Sequence, residues 1–79
     1  INQEYIKGIS NDYFDLQGIN TKEANLTKKI IISDIKKIEI NYNYSPMIKL
    51  RLLILKNENN LLINLFNNLR KVYVKIFKS

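Results

Sequence analysis

Two apolar runs separated by a polar quartet constrain this chain more than any other feature. Residues 48–55 and 61–66 flank Asn57-Glu58-Asn59-Asn60. In the first run Ile48, Leu50, Leu52 and Ile54 alternate with Lys49, Arg51, Leu53 and Leu55. In the second, Leu61, Ile63 and Leu65 alternate with Leu62, Asn64 and Phe66. Alternation with period two is the pattern of a strand. Asparagine tolerates left-handed backbone and forms side-chain turns, so the quartet suits a reversal. The pattern predicts a central β-hairpin. One continuous helix over 48–66 is the rival, opposed by four consecutive polar residues at its centre.

The flanking segments extend the same reading. Residues 4–9 and 13–19 are short runs of Tyr, Ile, Phe and Leu, separated by Ser10-Asn11-Asp12 as a turn. Residues 20–26 are polar and read as a loop, with room for one helical turn across 21–25. Residues 27–33 are expected to form a third strand ending in Ile30-Ile31-Ile32, whose consecutive isoleucines suggest burial on both faces or at a sheet corner. Ile38, Ile40, Tyr42 and Tyr44 then alternate with Lys37, Glu39, Asn41 and Asn43, the cleanest two-residue period in the chain. Ser45-Pro46 ends that strand, since proline donates nothing to a ladder. The connection is short, so 38–44 is expected to pair with 48–55 and to share its buried face.

After Phe66 the period changes. Leu69, Val72, Tyr73, Ile76 and Phe77 fall at i, i+3, i+4, i+7 and i+8, one stripe of a helix. Asn67 and Asn68 can cap it. A seventh strand is the alternative, because Val72-Tyr73-Val74 is β-prone. The expectation is an α+β, mainly β, domain: about six strands in a small antiparallel sheet or partly open barrel. The C-terminal amphipathic helix closes it, with its stripe on the sheet.

Seventy-nine residues make one domain, 1–79, with a thin core. The chain starts at Ile1 without an initiator methionine and is expected to be a piece of a longer protein. No apolar run reaches the ~20 residues of a membrane span, and no signal peptide is visible. The expected location is cytoplasmic, or the cytoplasmic side of a membrane if the parent is tethered there.

The net charge of +6 is unevenly placed. Residues 1–27 carry −2, from Lys7 and Lys22 against Glu4, Asp12, Asp15 and Glu23, and the remainder carries +8. Such asymmetry fits an anionic partner. Isoleucine, asparagine and lysine dominate, however, as in proteins of AT-rich genomes, and such a coding bias alone could generate much of that charge.

The chemistry-bearing residues are sparse. There is no histidine and no cysteine. The commonest acid–base group and the thiolate metal ligand are therefore both missing. No phosphate-binding glycine loop and no nucleophile elbow occurs. Asp12 and Asp15 flank a turn, the ordinary place for aspartate. The chain is not expected to be an enzyme, nor to hold a metal or cofactor.

The strand, the step Ile32-Ser33-Asp34-Ile35-Lys36-Lys37-Ile38, the next strand, the hairpin and the closing helix together resemble the bacterial pleckstrin-homology-like domains. The resemblance covers most of the chain and consists of pattern without an invariant motif. It implies seven strands where six are counted. The basic Lys…Lys/Arg-x-Arg motif of phosphoinositide-binding members is absent from the first strand–loop–strand, so no phosphoinositide ligand is expected. A missing strand implies an open sheet edge.

The resulting expectation is a non-catalytic interaction or scaffolding module. It would bind a protein, or a second copy of itself, by strand addition at Glu4, Tyr5, Ile6 and Lys7. The alternative is a small basic nucleic-acid-binding domain. The candidate anion-contacting residues are Arg70, Lys71, Lys75 and Lys78.

Overall fold

The computed structural model describes residues 2–78, with backbone only at positions 74, 77 and 78. Each helix starts at a short polar side chain that accepts hydrogen bonds from otherwise unpaired backbone N–H groups. Helix α1 spans Gln3–Asp15, and the N–H of Glu4 donates to Asn2 Oδ1 at 2.8 Å. Helix α2 spans Lys22–Lys37, and the N–H of Ala24 donates to Thr21 Oγ1 at 3.1 Å. Glu23 in its first turn and Lys36 and Lys37 in its last complement the helix dipole. Helix α3 spans Pro46–Lys56, with Ser45 as cap and the proline in the first turn, where its missing N–H costs nothing. Helix α4 spans Asn60–Lys78, and Asn59 Oδ1 accepts from the N–H groups of Leu61 and Leu62.

The connections are short. Gly18, at φ +83°, turns the chain after α1 in a conformation that a side chain resists. Residues 39–45 link α2 to α3. Their end is tied back to α1 where the N–H of Ser45 donates to Gln3 Oε1 at 2.9 Å.

Helical spacing selects the core. In α1, Ile6, Ser10, Tyr13 and Phe14 are buried, at i, i+4, i+7 and i+8. In α2 the buried set is Ala24, Ile31, Ile32 and Ile35. In α3 it is Ile48, Arg51, Leu52, Ile54 and Leu55. Ile63, Phe66 and Asn67 are the buried residues of α4. Helices α1, α2 and α3 pack on one another in all three pairs, and α4 lies on α3. The ring of Phe66 reaches across to Phe14 of α1, with centroids 5.0 Å apart.

The expected sheet is therefore corrected. The described residues contain four helices and no strand, so the mainly β architecture and the pleckstrin-homology-like resemblance both fall. The two proposed N-terminal strands and their Ser10-Asn11-Asp12 turn lie largely within α1, and the third strand lies within α2. The segment 38–44 is a connector in which Ile38 is buried but Tyr42 is 83% exposed. The hairpin is a helix pair that breaks where the polar quartet stands. The C-terminal helix is present, but it begins at Asn60 and its stripe faces away from the core.

The reason is physical. In a run as apolar as 48–55, both the strand and the helix period find matches, and packing decides between them. Ser45-Pro46 was decisive evidence of the other kind: a cap followed by proline at the first helical position opens a helix. The β preference of isoleucine amounts to tenths of a kcal/mol per residue, which tertiary packing overrides. No described helix is long and apolar enough to cross a membrane.

Candidate functional site

Two features stand out: a buried arginine between α1 and α4, and the outer face of α4. Arg51 projects from the buried side of α3 and is 7% exposed. Its Nη1 donates to Ser10 Oγ and to Asn11 Oδ1, each at 2.7 Å. The guanidinium also lies against the rings of Phe14 and Phe66, 5.9 and 5.5 Å from their centroids. Its hydrogen-bond partners among the described residues are neutral. Burial, with the nearby Arg70 charge as a second cause, holds its pKa below the ordinary value. Arginine nevertheless stays protonated in proteins, so Arg51 is a buried cation stabilised by dipoles and π-faces.

Arg70 closes the cluster from α4. It packs on Phe14 at 5.6 Å and pairs with Asp15 Oδ1 at 2.7 Å. Asn67 Nδ2 donates to the carbonyl of Phe14, and Asn67 Oδ1 accepts from Arg70. These contacts fasten α4 to α1. No nucleophile is paired with a base here, and among the described residues no group of carboxylates could hold a metal ion. The cluster is a clamp that positions α4.

The clamp leaves the rest of α4 outward. Successive helical residues turn by about 100°, so side chains fall into arcs. Ile63, Phe66, Asn67 and Arg70 occupy the arc against the body. Asn64, Asn68, Lys71 and Lys75 occupy a polar arc, and all four are exposed. A third arc holds Leu61, Leu62, Leu65, Leu69, Val72 and Ile76. These six are 43–79% exposed.

The expected site residues distribute differently from the expectation. Glu4, Tyr5, Ile6 and Lys7 are consecutive in α1, so they spread around the helix and form no edge. Ile6 is fully buried. Of the expected anion contacts, Arg70 is engaged by Asp15 and Phe14, whereas Lys71 and Lys75 are exposed beside it. The side chain of Lys78 lies outside the described residues, as does that of Phe77 in the expected stripe. Leu69, Val72, Tyr73 and Ile76 do share a side of α4, but it is the solvent side.

Sequence reasoning missed Arg51, Ser10, Asn11 and Asn67 as an interlocked set. Nothing local marks a contact spanning forty residues. It also missed Leu61, Leu62 and Leu65 as part of the C-terminal stripe, although their spacing from Leu69 was visible once the strand was set aside. Comparison with protein-family models, with curated proteins and with solved structures finds no match.

Proposed function

We propose that this chain is a non-catalytic interaction module that binds protein through the outer face of α4. The observation that carries this reading is the continuous arc of large aliphatic side chains on a helix whose opposite side is fixed to the body. Isolated exposed apolar residues are ordinary on any surface, but a contiguous stripe on a well-anchored helix marks a contact surface. The short body with its clamp presents the helix, and the polar arc beside the stripe keeps the free chain in solution.

The test is site-specific photocrosslinking in the cell of origin, with the reactive residue at Leu69 or, as control, at Lys29 on the exposed side of α2. Protease-sensitive adducts should concentrate at Leu69. Equal labelling at both positions, or adducts removed by nuclease, would overturn the reading. The nuclease-sensitive result would instead favour the basic nucleic-acid-binding alternative. Of the basic residues that alternative would use, Lys36 is paired with Glu58 and Arg70 with Asp15, each at 2.7 Å.

A further inference from the structure

The outer face of α4 has a register as well as a composition. Leu62, Leu65, Leu69, Val72 and Ile76 are separated by three, four, three and four residues. That is the a/d spacing of a coiled coil, carried over two heptads. A lipid surface asks only for a broad apolar arc, whereas a strict a/d line is the narrower seam by which one helix receives another. All five seam residues are 43–64% exposed, so the chain's own body leaves the seam open. Intramolecular packing uses the b, e and f positions: Ile63, Phe66, Asn67 and Arg70. The two sets of positions do not compete, and a partner helix can be added without disturbing the core.

From this register we infer that the seam is occupied by α4 of a second copy, running antiparallel. The inference rests on the reading of α4 as a protein-binding face and names its partner. A seam of this kind is self-complementary, as a two-fold interface requires. The direction follows from charge. α4 holds no acidic residue, and its four basic residues, Arg70, Lys71, Lys75 and Lys78, all lie in its second half. Arg70 is paired with Asp15 on the body side, but parallel helices would set the lysines of the two halves side by side with no acidic residue on either α4 to offset them. Antiparallel helices place each basic half beside the uncharged 60–68 half of the other and oppose the two helix dipoles. The two-fold then passes near Leu69, with Leu62 and Leu65 of one copy facing the Val72–Ile76 end of its partner.

A half-exposed aliphatic side chain offers on the order of 100 Å², so Leu61 and the five seam residues expose at most roughly 600 Å² per copy. Full burial of that surface across the two-fold, about 1,200 Å², is the lower end of a specific interface.

The absence of cysteine makes the test direct. Sedimentation velocity across protein concentration should show a monomer–dimer equilibrium. Leu69→Glu, an exposed position, should abolish the dimer and leave helical circular dichroism unchanged. Leu69→Cys should form a disulfide-linked dimer on oxidation at least tenfold faster than Ile76→Cys, because only the former meets its own copy near the two-fold. Equal cross-linking of Ile76→Cys would overturn the antiparallel arrangement. A strict monomer at all concentrations would overturn the second copy as occupant, and adducts at Leu69 with other proteins would then still uphold the binding face. A strict monomer whose co-sedimentation with phosphatidylserine vesicles is lost in Leu69→Glu would overturn both readings and place a membrane there.

Discussion

At the scale of single residues, Arg51 is the most demanding position. A cation removed from water loses several kcal/mol of hydration, and its dipolar and π contacts return only part of that. Replacing such a group by an apolar side chain of similar length is often neutral or stabilising, whereas truncating it opens a cavity. Arg51→Met is therefore expected to change the unfolding free energy by less than about 1 kcal/mol, and Arg51→Ala to cost about 2–4 kcal/mol. Ser10 tolerates either change because its hydroxyl still donates to the carbonyl of Lys7. Urea titration of the two variants against the parent checks this, and equal losses in both would show that the charge itself holds the fold.

Tyr13 offers a pH signature. Burial raises its phenol pKa above the ordinary 10.0, with the Gln17 hydrogen bond opposing and the Glu58 charge adding. A folded pKa above the unfolded one means that the folded state holds the proton more tightly. The stability this contributes is present below pH ~10 and is lost as pH rises through the folded pKa. The measurable quantity is a difference between the parent and a variant. Tyr13→Phe should unfold less steeply than the parent between pH 9 and 11, followed by circular dichroism.

At the scale of elements, the caps explain why there are four helices and where each begins. Asn2, Thr21, Ser45 and Asn59 each stand immediately before a helix and accept from its first N–H groups. Side chains of this kind contribute about 1 kcal/mol apiece. Equally apolar residues on different helices can have opposite fates. Leu52 is fully buried, whereas Ile76 is 64% exposed. Leu52→Ala should cost about 2–5 kcal/mol, enough to threaten a domain of this size. Ile76→Ala should shift the unfolding of the monomer by less than ~0.5 kcal/mol. Urea melts at protein concentrations below the onset of association separate the two. A large loss at Ile76 under those conditions would mean that the end of α4 folds back onto the body.

At the scale of the molecule, charge and shape act together. The chain measures about 34 × 32 × 21 Å along its principal axes. From residue 28 onward it holds eleven basic against three acidic side chains, and among the described residues the ion pairs Lys36–Glu58 and Arg70–Asp15 compensate few of them. Self-repulsion of this kind weakens a compact state and is relieved by salt. The thermal midpoint should therefore rise by a few degrees as sodium chloride is raised from about 0.05 to about 0.5 M. A midpoint that falls instead would show that surface ion pairs contribute more than the repulsion removes.

Much of this was legible in the chain alone. The polar break at residues 57–60, the helical stripe after Phe66 and the four capping residues are all local signals, set by a few neighbouring side chains. Whether an Ile- and Leu-rich run becomes strand or helix is not local, because such a run satisfies both periods. Only the mutual burial of Ile6, Phe14, Ile35, Leu52, Leu55 and Ile63 on four packed helices chose the helix. The same holds for the two faces of α4. Its amphipathic stripe could be read from spacing, but spacing cannot say which apolar side meets the body. That was decided by Phe66, Asn67 and Arg70 engaging Phe14 and Asp15 across more than fifty residues, which turned the Leu62–Ile76 seam toward the solvent.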